Sequence, residues 1–255
     1  KLFENPAPSK IHDLNSYASP TPLIEEGRVI VHFGSYGTAC LDPATGAVQW
    51  ARRDLPCEHW RGPGSSPIAF EQNLIVHFDG YDYQYVIALD RATGRTAWKV
   101  DRQVDYGTDD GDIKKAFSTP LVVEAAGRTQ LISTCSKAAL AYDPRTGDEL
   151  WRVRYEGFSA TARPLGGRGL VFLNTGFSKA DLWAVRPNGR GDVTESSQAG
   201  SVRRAPPIRY KPLPPGQNTH PSPDSRIRRH RECDTRRDGT ESACRDALAT
   251  AQTWD

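Results

Sequence analysis

Three ten-residue stretches of this chain superimpose without a gap. Leu41 to Trp50, Leu89 to Trp98 and Tyr142 to Trp151 each read apolar-Asp-x-x-Thr-Gly-x-x-x-Trp, with their aspartates 48 and then 53 residues apart. Self-similarity at a period of about 45–50 residues confines a chain to units arrayed side by side, because a unit of that size cannot bury both of its faces alone.

The turn inside the repeat has readable chemistry. Asp42, Asp90 and Asp143 open it, and a carboxylate there accepts a hydrogen bond from the backbone two residues on. Pro43 and Pro144 pre-set φ for the next position. Thr45, Thr93 and Thr146 precede Gly46, Gly94 and Gly147, which supply the left-handed conformation that closes a hairpin. Trp50, Trp98 and Trp151 then fall on the returning strand, where one indole per unit is expected to wedge against the adjacent unit. Truncating such a buried Trp should cost about 3–5 kcal/mol.

Upstream of each motif lies a matching Ser/Thr-Pro-apolar start: Thr21-Pro22-Leu23, Ser66-Pro67-Ile68 and Thr119-Pro120-Leu121. Ala162-Arg163-Pro164-Leu165 opens a fourth unit, which continues through Gly169 to Leu173 and Leu182 to Val185, with a degenerate turn at Arg186-Pro187-Asn188-Gly189. Between start and turn sit short β-branched runs such as Arg28 to Phe33 and Asn73 to Phe78, the pattern of strands buried on both faces. Each unit therefore reads as four strands. The fold class is all-β, a β-propeller of four-stranded antiparallel blades. Three full blades fall at about 19–55, 65–101 and 117–156, and most of a fourth at 160–193.

After Val193 the pattern stops. Residues 1–193 carry 22 Lys/Arg against 23 Asp/Glu, whereas 194–255 carry 11 against 8 and few large apolar residues. The neutral propeller offers no basic footprint for nucleic acid. The stretch 194–255 lacks the apolar content to fold alone and is expected to be either a disordered basic tail or out-of-frame translation of a GC-rich gene. No apolar run is long enough to cross a membrane. The chain opens on Lys1 and has no Met, so its native amino terminus, with any leader, is expected upstream. An incomplete ring would leave a blade edge open, and self-association through that edge is expected. Cys40, Cys57, Cys135, Cys233 and Cys244 match no metal or redox spacing and read as scattered thiols.

The repeat resembles the pyrroloquinoline-quinone (PQQ)-like repeat of the quinoprotein alcohol dehydrogenase-like superfamily, whose members include the propeller lipoprotein of the outer-membrane β-barrel assembly machinery and other non-catalytic bacterial proteins. The resemblance covers residues about 15–193. It implies a periplasmic or secreted location. In the enzyme branch it implies a quinone and a Ca²⁺ on the propeller axis, often beside a vicinal Cys-Cys pair. This chain has no such pair and no position assignable to those ligands. No cofactor is therefore expected, and PQQ with Ca²⁺ enters only under the alternative that the chain is a fragment of a quinone-dependent dehydrogenase. The favoured reading is a non-catalytic binding or scaffold module for a protein or small-molecule ligand, because fold alone does not specify chemistry.

In a propeller the segments leading into each inner strand gather on one face around the axis. Here they carry Asn15, Tyr17, His59, Trp60, Arg61, Lys115, Phe117, Ser159 and Arg163, which form the candidate binding face. The plainer alternative is that these side chains merely plug the channel. His32 and His77 hold equivalent strand positions, with Ser133 in the third blade, and read as packed histidines rather than metal ligands. The segment Asp101 to Asp112, with Asp105, Asp109 and Asp110, has carboxylates in a spacing that fits no EF-hand, and reads as a solvated acidic loop. No catalytic motif is present, and no catalytic or metal-ligating residue is assigned.

Overall fold

The computed structural model divides into two compact units, Lys1–Pro207 and Ile208–Asp255. The structure describes residues 2–4, 11–177 and 180–203, all in the first unit. Four sheets follow one another along it. Blade 1 comprises β1 (Leu23–Glu25), β2 (Arg28–His32), β3 (Thr38–Leu41) and β4 (Val48–Arg52), and blade 2 comprises β5 (Ile68–Phe70), β6 (Asn73–Asp79), β7 (Gln84–Asp90) and β8 (Thr96–Asp101). Blade 3 is built from β9 (Leu121–Ala125), β10 (Arg128–Thr134), β11 (Ala138–Tyr142) and β12 (Glu149–Arg154). Blade 4 uses β13 (Leu165–Gly167), β14 (Leu170–Asn174), β15 (Asp181–Val185) and β17 (Gln198–Arg203). Each is an antiparallel meander, and a two-residue strand β16 (Gly191–Asp192) adds in parallel to the edge of blade 3.

The blades stack through three cores, each made by the facing sides of two neighbours. Ile30, Cys40 and Trp50 of blade 1 meet Leu74, Val76, Phe78, Tyr85, Ile87 and Leu89 of blade 2. Ile75, Val86, Ala88 and Trp98 meet Leu131, Leu140 and Tyr142, and Ile132, Ala139, Ala141 and Trp151 meet Val171, Leu173 and Val185. Strand period 2 sends alternate residues of one strand into successive cores, which is why β6 and β7 are almost wholly buried.

The expected indole wedge is seen. Trp50 Nε1 donates to Arg91 O of the next blade at 2.9 Å, and Trp98 Nε1 to Pro144 O at 3.2 Å. Their rings lie so close to Gly94 and Gly147 that an added Cβ would stand 2.6 and 2.7 Å from Trp50 and Trp98 Cε3. Both glycines have positive φ, +72° and +81°, so turn geometry and indole seat demand the same residue. The turns use their aspartates as expected, with Asp42 Oδ1 accepting from Ala44 N, Thr45 N and the Thr45 hydroxyl, and Asp90 repeating the set.

A second latch explains the Ser/Thr-Pro starts. Thr21 N donates to Ser66 Oγ at 2.9 Å, and Ser66 N donates to Thr119 Oγ1 at 2.9 Å. Each start hydroxyl thus accepts the N–H of the preceding blade's start.

Two sequence expectations are corrected. The fourth blade does not end at 193: Thr194 to Arg203, read as the beginning of the tail, supplies its outer strand, which pairs with β15 from Asp181↔Arg203 to Val185↔Gln198. The reason is a lengthened turn, Arg186 to Ser197, that carries β16 onto blade 3 and buries Val193 in the third core, so the Thr-Gly signature is gone although the hairpin is not. The rest of the tail, 204–255, with Cys233 and Cys244, lies outside the described residues. The register also equates His32 and His77 with Thr134, not Ser133: His32 faces Thr38, His77 faces Val86 and Thr134 faces Ala139.

Candidate functional site

The four lead-in segments are sewn together in chain order. Asn15 Nδ2 donates to Arg61 O (2.7 Å) and Pro63 O (3.1 Å), tying the first to the second. Arg61 forks onto Asp112 at 2.7 and 2.6 Å, tying the second to the third, and Phe117 N donates to Ala160 O at 2.7 Å, tying the third to the fourth. Asp112 sits in a one-turn helix, α1 (Gly111–Lys114), capped by Asp110, whose carboxylate accepts from Asp112 N. The acidic segment is therefore partly structural. The hydrogen bond from Arg61 holds the Asp112 carboxyl below the ordinary carboxylate range.

Together these segments line a cleft of about 790 Å³. Of the candidate face residues, Asn15, Arg61, Phe117 and Ser159 line it, beside His12, Leu14, Asp112, Phe158, Thr161 and Phe177. Leu14 is 92% exposed and Phe177 68%, and Phe158 and Phe177 pack edge to face at 6.0 Å. Tyr17, Trp60 and Arg163 are exposed but stand outside the lining. Tyr17 leans edge-on against Tyr36 at 5.5 Å, and Trp60 against Tyr81 at 6.4 Å.

His59 and Lys115 are not on the surface at all, a second correction to the face: they are 4% and 1% exposed. Lys115 Nζ lies 4.5 Å from the centroid of the Phe117 ring, 3.4 Å from His59 Nδ1 and 3.1 Å from Asp79 O. Burial pushes its pKa down to about 8, and burial with the neighbouring ammonium keeps His59 neutral, well below the usual histidine range. His59 Nδ1 is also 3.8 Å from the Cys57 thiol, which burial pushes up.

Behind this pair runs a buried polar chain that the sequence did not announce. Arg102 forks onto Asp79, with Nη2 at 2.7 Å from Oδ2, and its Nη1 reaches Ser133 Oγ at 2.6 Å. Ser133 Oγ bonds His77 Nε2 at 2.9 Å, and His77 Nδ1 meets Ser118 O at 3.1 Å. Donors and acceptors here are matched across the junction of blades 2 and 3. Removing one partner of such an enclosed ion pair costs about 3–5 kcal/mol. The sequence signal for it was absent because Asp79 ends a strand and Arg102 follows one, places where a charged residue ordinarily marks a solvated turn. Among the described residues His32 Nδ1 meets Thr38 Oγ1 at 2.8 Å, and burial lowers its pKa to about 3. Cys40, Cys57 and Cys135 are free and buried.

Set beside known proteins, residues 82–194 match the sequence family described as outer membrane protein assembly factor BamB. Methanol dehydrogenase [cytochrome c] subunit 1 of Methylorubrum extorquens is 26% identical over an alignment covering 64% of this chain and 29% of that protein. Among solved structures, BamB from Moraxella catarrhalis superimposes with a TM-score of 0.54 at 21% identity, covering 71% of this chain and 50% of that one. Quinohemoprotein alcohol dehydrogenase from Comamonas testosteroni gives 0.51 at 14% identity, covering 72% and 35%. The chain thus spans half the length of the BamB structure and about a third of the dehydrogenases it matches. With four successive sheets and three Asp-Thr-Gly-Trp turns in hand, these matches show a β-propeller fold similar to that of BamB and of the quinohemoprotein alcohol dehydrogenase.

Proposed function

We propose that the chain is a non-catalytic binding or scaffold module of the periplasm or the secreted fraction, which holds a protein partner or a small molecule in the loop-lined cleft. The observation that carries this reading is that the polar groups of the lining are already engaged with one another. Arg61 is spent on Asp112, Asn15 on two backbone carbonyls, and His12 Nδ1 on Leu14 N. The Thr161 and Ser19 hydroxyls donate to Ser159 O and Asn15 Oδ1 rather than to a base, so neither is an activated nucleophile. What the cleft presents outward is aromatic and aliphatic surface from Leu14, Phe117, Phe158 and Phe177, the composition of a recognition pocket. The likeness to BamB supports a protein partner. Among the described residues no helix is long and apolar enough to cross a membrane.

The similarity to methanol dehydrogenase keeps a second reading alive, a fragment of a quinone-dependent dehydrogenase. The lining does not fit it. Calcium takes six to eight oxygen ligands, several of them carboxylate. Among the described lining residues Asp112 is the one carboxylate, and Arg61 occupies both its oxygens.

A photo-crosslinking amino acid at Ser159 or Thr161, with Thr45 on the opposite turn face as control, tests the proposal in bacteria producing the protein. Discrete adducts from the cleft positions alone are expected; equal labelling from Thr45 overturns the assignment. Incubation with PQQ and Ca²⁺ should give no bound quinone absorbance and no dye reduction.

A further inference from the structure

Blade 2 carries an aromatic surface that neither the cores nor the cleft uses. Trp60, Tyr81 and Tyr83 are 38%, 41% and 47% exposed, and none of them lines the cleft. Trp60 comes from the segment leading into blade 2, and the two tyrosines from the turn between β6 and β7. The segments are stitched together: Tyr81 N donates to Glu58 O at 2.7 Å, and Glu58 N donates to Asp82 Oδ1 at 2.6 Å. Trp60 meets Tyr81 with their ring planes 61° apart. The Tyr81 ring rests on Gly111, where an added Cβ would stand 2.1 Å from its Cγ, so contact fixes the ring in place. Exposed aromatic side chains gathered on a rigid support mark a recognition surface.

The charge beside these rings says what they would recognise. Glu58, Asp82 and Asp110, the residue before Gly111, are all exposed. Asp82 Oδ1 accepts the Glu58 and Tyr83 N–H groups, and Asp110 Oδ1 accepts that of Asp112, so backbone bonds hold both carboxylates where they are. Among the described residues no Lys or Arg pairs with any of the three. The nearby cations are engaged elsewhere, Arg61 with Asp112 and Lys114 with Asp109.

A carboxylate next to an aromatic ring suits a guanidinium, which lies against the ring while it bonds the acid. The fold itself uses that combination. Arg145 stands 5.1 Å from the Phe70 centroid and bonds Glu71 Oε1 at 2.5 Å. Tyr81-Asp82 repeats the ring-then-carboxylate order of Phe70-Glu71, and among the described residues no cation lies over its ring.

We infer that this rim of blade 2 docks an arginine-bearing segment of a partner protein, the guanidinium lying against Trp60 and Tyr81 and pairing with the Glu58 and Asp82 carboxylates. Charge complementarity and the filled Phe70-Glu71 site carry the inference, which stands apart from the cleft.

Isothermal titration calorimetry of the full chain with an acetylated, amidated tetra-arginine peptide tests it. The citrulline tetrapeptide, planar and nearly isosteric but uncharged, is the control. The arginine peptide alone should bind, and binding should fade as salt approaches about 1 M, where charges are screened beyond about 3 Å. Trp60→Ala should weaken it about fivefold. Glu58→Gln combined with Asp82→Asn should weaken it at least as much, since an amide oxygen at 82 still accepts the two N–H groups; circular dichroism checks that both variants keep the wild-type fold. In wild type the Trp60 indole N–H resonance should move on titration while those of Trp50 and Trp98 stay in place. Equal binding of the citrulline peptide would make the rim a platform for neutral ligands and overturn the inference. Arginine-peptide binding that survives both sets of substitutions places the cation elsewhere and overturns it too, as does an absence of binding at low salt.

Discussion

The junctions between blades 1 and 2 and between blades 2 and 3 are made by the same two contacts, an indole seated on a turn glycine and a hydroxyl accepting a start N–H. The junction between blades 3 and 4 has neither. Arg163 replaces the start hydroxyl, and the lengthened turn of blade 4 offers no Thr-Gly seat. Yet Trp151 is the most completely buried of the three indoles. Its Nε1 donates to Gln130 Oε1 at 2.7 Å, and Gln130 Nε2 passes the bond on to Pro187 O at 2.8 Å. Pro187 stands where Arg91 and Pro144 take the indole N–H directly. Asn73, the register equivalent of Gln130, reaches Pro144 O only at 3.4 Å, so the extra methylene of Gln lets an amide span a gap that the closer turns do not have. The lesson is that apolar stacking sets the docking and the polar latch is rebuilt locally to suit whatever turn arrives.

Acid should separate the junctions most sharply. His32 and His59 pack on Phe78 between blades 1 and 2, and His77 bonds Ser133 and Ser118 between blades 2 and 3, whereas the third junction has Thr134 at that position. Burial holds all three folded-state pKa values below the ordinary 6.5, His32 at about 3. The unfolded chain therefore binds protons first as pH falls below 6.5, and stability present above that pH is lost on acidification. Each histidine that stays neutral in the fold contributes a slope of roughly 1.4 kcal/mol per pH unit below 6.5, and the three losses add in the same direction. Urea midpoints at pH 5 and 7.5 measure the loss. Hydrogen exchange should locate it at the first two junctions, with β14 and β15 at the third opening last. Lys115 adds the opposite limb. Its folded pKa near 8 lies below the unfolded 10.5, so stability should climb as pH rises through that window, and Lys115→Met should flatten the climb.

The next effect is that of the indoles themselves. Trp98→Ala opens a cavity in the second core and should lower stability by about 3–5 kcal/mol. Trp60→Ala, on the exposed rim, should stay within about 0.5 kcal/mol. Thermal unfolding of both variants makes the comparison, and a similar loss from each would break the link between repeat position and docking.

How much of this was legible follows from which features repeat. Asp42, Thr45, Gly46 and Trp50 recur at fixed spacing because every blade needs the same tight hairpin and the same wedge, so blades 1 to 3 could be drawn from sequence. The outer strand of blade 4 could not, since its turn is stretched by residues that serve blade 3 through Gly191 and Asp192, and Gly200 has displaced the Trp that would have flagged it. On the lead-in segments, Asn15, Arg61, Phe117 and Ser159 could be picked out as polar or aromatic groups near the axis. That His59 and Lys115 turn inward could not, because burial there depends on Asp79 O and Phe117 arriving from elsewhere in the chain. Phe158 and Phe177 escaped notice because a lone aromatic in a loop carries no period.

Gln130 gives the third and finer test. Gln130→Leu leaves the Trp151 N–H buried without a partner and the Pro187 carbonyl with only the long 3.4 Å bond from Arg128 Nη2, a loss of about 2 kcal/mol. Asn73→Leu should be nearly neutral, since Trp98 keeps its own bond to Pro144 O and the Asn73 Oδ1 already lacks a partner. Chemical denaturation separates the two. Equal losses would mean that the amide stabilises both junctions by packing rather than by relaying a bond.

The smallest expected change runs in the other direction. Thr119→Val removes the acceptor of Ser66 N without altering shape, and should cost about 1 kcal/mol at the second junction. Arg163→Thr installs at the fourth start the hydroxyl that the first two junctions use, where Thr119 N can donate to it as Ser66 N does to Thr119 Oγ1. A gain of about 1 kcal/mol is expected, with the Thr119 amide becoming slower to exchange. A gain in stability without that protection would trace to the loss of a long, exposed side chain and not to the latch. No gain at all would mean that blade 4 sits at a different distance from blade 3 than the first three blades keep between themselves, and that the Gln130 bridge exists because of that wider gap.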